Sequence, residues 1–158
     1  MQLRDVMKLD ENEKAWVLLS RTFRALDRAR EIELERFGLS TIEAAVLHAL
    51  QTANEPVTPA KLSRWLYREP HTISGLLNRM EKKGLVKKSK DLDKRNLVRV
   101  TLTEKGEQAF QRQLGARLVP RITSSLSKKE LDNLKVCLGK LHTRALEIIR
   151  ELQPLPYR

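Results

Sequence analysis

Apolar residues recur at helical spacing along most of this chain. From about Asn12 to Phe37, Trp16, Leu19, Phe23 and Leu26 follow one another at alternating steps of three and four, and the pattern continues through Leu34. With charged residues between them, this predicts a long amphipathic helix. Gly38 stops it, and Ser40-Thr41-Ile42-Glu43 reads as a capping box, in which hydroxyl and carboxylate each satisfy a free backbone amide. A second helix is expected to about Ala53. Thr58 and Pro59 form the next N-cap and first-turn pair, with Val57 and Leu62 spaced as a hydrophobic staple, and a short third helix carries Leu62, Trp65 and Leu66. Pro70 can open a fourth helix, where Ile73, Leu76, Leu77 and Met80 fall on one face. Gly84 supplies a left-handed stop, accompanied by the apolar Leu85.

Two short helices joined tightly predict a helix-turn-helix over 58–83. The periodicity then changes to that of strands. Val86 to Lys90 and Leu97 to Leu102 are expected to pair around a polar tip, Asp91 to Asn96, forming a wing over 85–102. Thr103 can cap a fifth helix running through Ala109, Phe110, Leu114 and Leu118 until Pro120 bends or ends it. Ser127-Lys128-Lys129-Glu130 is another capping box, with Leu126 and Leu131 as its staple. Beyond it, Leu131, Leu134, Leu138, Leu141, Ala145, Ile148 and Leu152 alternate steps of three and four. So narrow an apolar seam is the pattern of a helix that seeks a partner helix. Residues 154–158 should be irregular.

Charge changes the picture from fold to partner. The 158 residues carry a formal net charge of +11 and a pI near 10.1, which points to a polyanion. From Thr58 to Gly106 there are thirteen Lys and Arg against five Asp and Glu, so this segment holds eight of the eleven surplus charges. The electrostatic footprint therefore coincides with the helix-turn-helix and wing. No run reaches the roughly 18 apolar residues of a membrane span, and Met1 to Asp10 lacks the apolar core of a signal peptide. A cytoplasmic protein without a membrane partner is expected. The single cysteine, Cys137, can form neither an internal disulfide nor, alone, a zinc site. With two Trp, two Tyr and three Phe, the chain is poor in stacking groups for single strands, which favours duplex DNA.

Leu76-Leu77-Asn78-Arg79-Met80-Glu81-Lys82-Lys83-Gly84-Leu85-Val86, then Asp93-Lys94-Arg95, then Val100-Thr101-Leu102-Thr103-Glu104-Lys105-Gly106 resemble, in order and spacing, the signature of the MarR family of winged helix-turn-helix transcription regulators. The resemblance extends over roughly Asn12 to Leu152. It implies one mainly α domain over 12–152 with a small β-hairpin wing. Its DNA-binding lobe would span 40–106, and its dimerisation helices 12–37 and 104–152. Burial of the apolar face of the fourth helix turns His71, Thr72, Ser74, Gly75, Asn78 and Arg79 outward, toward a major groove wide enough to admit them. Asn78 suits adenine, and Arg79 suits guanine or a phosphate. Gly75 would let the backbone approach closely, and the amides near Thr58, with Lys61, could hold a phosphate. Arg95 could enter a minor groove, oriented by Asp93 and adjoined by Lys94; the resemblance implies these same roles for Asp93 and Arg95.

Trp16, Leu19, Phe23, Leu131, Leu134, Leu138, Leu141 and Ile148 are the expected dimerisation residues. The resemblance also implies a small-molecule effector site between the dimer helices and the DNA-binding lobe. No cofactor or metal is expected: His48 reads as a packed or surface histidine, and His142 lacks a ligand cluster. Cys137 borders the Leu134, Leu138 and Leu141 stripe and reads as a small buried hydrophobe; redox sensing is not expected, because oxidation-sensing members of the family carry their reactive cysteine in the first long helix, which has none here. Trp16 and Trp65 read as packing rather than ligand-stacking groups. An enzyme would need a nucleophile with its base, a carboxylate pair or a phosphate loop, and none is apparent. A winged-helix adaptor that binds no DNA is the other alternative, and the local charge surplus argues against it. The expected function is a homodimeric regulator that represses or activates by occupying a pseudo-palindromic operator, with repression the first expectation.

Overall fold

The structure is a computed structural model that describes residues 10–90, 97–115 and 118–152. It divides into two compact units, one ending at Leu118 and the other beginning at Val119. Helix α1, Glu11–Glu35, starts slightly before its apolar stripe because Asp10 and Glu13 form a capping box: Glu13 N donates to Asp10 Oδ1 at 2.8 Å and Asp10 N to Glu13 Oε2 at 3.1 Å. Gly38 ends this segment at φ +67°, and Leu39 N donates back to Leu34 O at 3.2 Å. Helix α2, Thr41–Thr52, carries the expected Ser40–Glu43 box. Helix α3, Pro59–Trp65, is capped by Thr58 Oγ1, and α4, Pro70–Lys82, opens on Pro70.

One core joins these elements. Val46 and Leu47 of α2, Leu62 of α3 and Ile73, Leu77 and Met80 of α4 are all essentially inaccessible to solvent. Strand β1, Val86–Lys90, pairs antiparallel with β2, Val98–Leu102, with Val86 opposite Leu102 and Lys90 opposite Val98. Val100 N donates to Val57 O at 2.9 Å, so the wing is fastened to the segment that leads into α3.

Helix α5, Glu104–Leu114, is locked to the end of α4. At that end Leu85 N donates to Met80 O and Gly84, at φ +71°, to Glu81 O, the hydrogen-bond pattern of a left-handed helix stop. Thr103 N donates to Leu85 O at 3.1 Å, and the Thr103 hydroxyl donates to Gly84 O at 2.5 Å while capping Gly106 N. Gly106 lies against this turn so closely that a Cβ there would stand 2.0 Å from Leu85 O. Helix α5 departs from expectation in its length. It stops at Gly115 rather than reaching Pro120, and Pro120 lies in the first turn of a separate helix, α6, Leu118–Thr123, where no preceding carbonyl awaits its missing N–H. Leu118 N donates to Glu33 Oε1 at 2.9 Å.

The second unit is dominated by α7, Lys128–Leu152, which begins with the Ser127–Glu130 box. None of its 25 residues is buried. Cys137 is therefore exposed in this chain, not a buried hydrophobe. Trp65, 41 % exposed, and Trp16, 68 % exposed, are likewise not core residues of the protomer. In each case helical periodicity identified an apolar position without specifying what, if anything, covers it.

Candidate nucleic-acid interface

The turn between α3 and α4 sets where α4 begins. Ser63 Oγ donates to Arg68 O at 2.5 Å while Arg68 N donates to Ser63 O at 3.0 Å, closing the turn from both sides. Tyr67 is thereby held at φ +50°, a left-handed conformation costly for a residue with a Cβ. Nothing in the local sequence announced it, since glycine is the usual occupant.

From this turn α4 presents two contrasting faces. Ile73, Leu76, Leu77 and Met80 are buried, while His71, Thr72, Ser74, Asn78 and Arg79 are exposed and Gly75 is half-buried. A Cβ at Gly75 would find only Arg79 Nη1 nearby, at 3.7 Å, so packing within the chain does not demand glycine there.

Asn78 has a partner that the sequence did not disclose. Lys88 of β1 donates from Nζ to Asn78 Oδ1 at 2.5 Å and pairs with Glu81 Oε2 at 2.9 Å, while its backbone N donates to Glu81 Oε1 at 3.1 Å. These bonds from Lys88 hold the Glu81 carboxyl below its usual range. The signal was present in the strand alternation, which sets Lys88 on the opposite side from Lys87, but it gave no distance to α4.

A second brace ties α2 to the end of α4. Glu43 is 4 % exposed, accepts from Ser40 N at 2.9 Å through Oε2, and pairs with Lys83 Nζ at 2.8 Å through Oε1. Burial works to raise the Glu43 carboxyl, but the bonds from Lys83 and Ser40 outweigh it and leave the group below the usual carboxylate range.

Thr58 and Lys61 stand together but are already engaged. Lys61 N donates to Thr58 Oγ1, and Lys61 Nζ donates to Pro56 O and pairs with Glu55, each at 2.9 Å. Asp93, Lys94 and Arg95 lie outside the described residues. Of the residues expected at a dimer interface, Trp16, Leu19, Phe23, Leu134, Leu138, Leu141 and Ile148 are exposed in the protomer and Leu131 is half-buried.

The first unit also contains a pocket of about 640 Å³, lined among others by Arg30, Ala44, His48, Trp65, Leu66 and Gln113. The Gln113 Nε2 donates to Ala44 O at 3.4 Å, whereas its buried Oε1 has no hydrogen-bond partner among the described residues. His48 packs its ring against Phe110 at 6.0 Å. No cluster that could hold a metal occurs among the described residues, and no described helix is long and apolar enough to cross a membrane.

Residues 39–106 match the sequence family of the winged helix DNA-binding domain. An uncharacterized HTH-type transcriptional regulator of Bacillus cereus is 30 % identical over 130 residues, covering 80 % of this chain and 86 % of the relative. The solved organohalide-sensing RdhR transcriptional regulator, in its ligand-free form, is 32 % identical, with a TM-score of 0.81 over 96 % of this chain and 94 % of its own. The protein belongs to the MarR family of winged helix-turn-helix transcription regulators. As a MarR-family chain it shares the family's fold with the Escherichia coli MarR mutant solved in complex with operator DNA, at a TM-score of 0.72 and 22 % identity over 78 % of this chain and 90 % of that one. The family assignment makes it a transcriptional regulator with a winged-helix DNA-binding domain; fold and relatives are those of a regulator, not of an enzyme class.

Proposed function

We propose that this MarR-family regulator is a homodimeric repressor that acts in the cytoplasm by occupying a pseudo-palindromic operator. The outward face of α4 enters the major groove, and the wing approaches the adjacent backbone and minor groove. The observation that carries this reading is the division of α4 into a buried apolar face and an exposed face of His71, Thr72, Ser74, Asn78 and Arg79, set in the segment that holds most of the surplus positive charge. Repression follows from occupancy, because a bound dimer and the polymerase exclude one another from the same DNA.

A homodimer is supported by exposed apolar side chains on α1 and by an apolar seam on α7 in which no residue is buried within the chain. Two equal reading heads then require two half-sites about one helical turn, or a multiple of it, apart. Selection of bound fragments from genomic DNA, followed by footprinting, tests this reading. Two symmetric protected half-sites are expected, and a single asymmetric half-site at full occupancy contradicts it.

The pocket supports control by a small molecule. Its volume of about 640 Å³ falls in the range of ligand sites, and the similar RdhR regulator has been solved bound to 2,4-dichlorophenol. Gln113 lines this pocket and is braced by its bond to Ala44 O, so its replacement alters the wall of the site. Titration calorimetry with 2,4-dichlorophenol as probe should give saturable binding that Gln113→Leu weakens; equal binding by that variant contradicts the placement.

A further inference from the structure

Lys88 sits on the wing, yet its ammonium reaches Asn78 on the exposed face of α4. A lysine ammonium can only donate, so the Asn78 amide atom that faces it at 2.5 Å must be the oxygen. This settles which end of the amide is engaged without appeal to the usual ambiguity between its nitrogen and oxygen. Lys88 is itself held in place, since Glu81 accepts both its ammonium and its backbone N–H. The arrangement ties α4 to β1 through three residues.

We infer that Lys88 is a positioning residue that fixes Asn78 with its N–H donors toward the groove, so that Asn78 selects a base offering acceptors there, guanine or thymine, and disfavours adenine. The inference rests on the proposed entry of α4 into the major groove. Adenine is read by an asparagine that accepts from N6 and donates to N7 at once. Here the accepting oxygen is already committed to a cation, and the adenine amino group would stand beside that cation with its own positive edge. Guanine presents O6 and N7, and thymine O4, all of which take hydrogen bonds from an N–H group. The residue alone suited adenine; its neighbour reverses the expected preference.

The test is selection of bound sequences from randomised duplex DNA by the full chain and by three variants, Asn78→Ala, Lys88→Met and Lys88→Arg. Asn78→Ala should erase the preference at one position of each half-site. In the unmodified protein that position should favour guanine or thymine over adenine by about tenfold or more, the discrimination expected of a good base contact. Lys88→Met keeps the unbranched stem, one atom shorter, but neither the charge nor the donors, and should shift that same position toward adenine; Lys88→Arg should leave it unchanged. A merely structural role for Lys88 would lower affinity on all sequences equally and move no preference. Adenine favoured by the unmodified protein at the Asn78-dependent position, or a Lys88→Met profile identical to it, overturns the inference while leaving the proposed function standing. So does a selected site in which no position depends on Asn78. Failure of the unmodified protein to enrich any sequence removes the proposed function itself. Should Lys88→Met fold poorly, Glu81→Gln, which loosens the hold on Lys88 from the other side, should produce a smaller shift in the same direction, and no shift would count against the inference.

Discussion

Replacing Gly106 by alanine adds one methyl group where α5 meets the turn after α4. That Cβ would lie 2.0 Å from Leu85 O and 3.0 Å from Leu85 C, both backbone atoms that cannot swing aside as a side-chain tip can. Relief requires a shift of more than 1 Å from ordinary contact, on the order of a full overpacking defect, about 1–3 kcal/mol. Leu85 O also accepts from Thr103 N, and Leu85 N donates to Met80 O, so the shift strains two hydrogen bonds worth about 1 kcal/mol each. The gain in helix propensity from glycine to alanine offsets about 1 kcal/mol. The net expectation is a loss of about 2–4 kcal/mol, measured as a lower midpoint in urea at fixed protein concentration. Because Leu85 and Val86 begin the wing, DNA affinity should fall in the fraction that still folds. A Gly106→Ala protein as stable as the original would refute the reasoning that this glycine is fixed by close backbone approach.

Gly75→Ala should behave in the opposite way: with only Arg79 Nη1 nearby, at 3.7 Å, it should stabilise the chain by up to about 1 kcal/mol, while DNA affinity drops if the backbone approaches the groove there, as parallel melting and binding curves would reveal. Glu43→Gln should cost about 1.5–3 kcal/mol at neutral pH, the range for hydrogen bonds to charged groups. Because the folded Glu43 carboxyl is depressed, its contribution is fully present above the unfolded value near 4.3 and is lost as pH falls through the folded one. Urea melts across pH should therefore show the two proteins converging only as pH falls below the ordinary carboxylate range, through the depressed folded value. Replacing both Leu138 and Leu141 by Glu should yield monomers or unfolded chains in ultracentrifugation, and a soluble protein of dimer mass would count against the α7 seam.

Features set by neighbours in sequence were legible; those set by distant ones were not. The boxes at Ser40 and Ser127, the Thr58–Pro59 and Thr103 caps, the buried stripe of α4 and the left-handed Gly84 all appear as read, because each is decided within one turn of backbone. Helix α5 ended early because Gly115 provides a cap before Pro120 can act, and proline is tolerated in a new first turn. The Glu43–Lys83 and Asn78–Lys88 pairs join residues 40 and 10 positions apart, a proximity that no local pattern encodes. The glycine of the Leu102-Thr103-Glu104-Lys105-Gly106 motif was visible, but its reason, the Leu85 carbonyl pressed against it, required the fold. Exposure of Trp65 and Cys137 went unread because an apolar stripe does not identify its cover.

The central claim, that the outward face of α4 reads duplex DNA, is tested most directly by binding isotherms on a selected site and on a scrambled duplex. These should compare the unmodified protein with a variant carrying alanine at His71, Thr72, Asn78 and Arg79, all exposed positions whose loss should leave the fold intact. The account predicts that the unmodified protein prefers its site by on the order of a thousandfold or more, and that the variant, equally stable, binds both duplexes alike with the weak, salt-dependent affinity of the remaining basic surface. A folded variant that still discriminates between the two would contradict it.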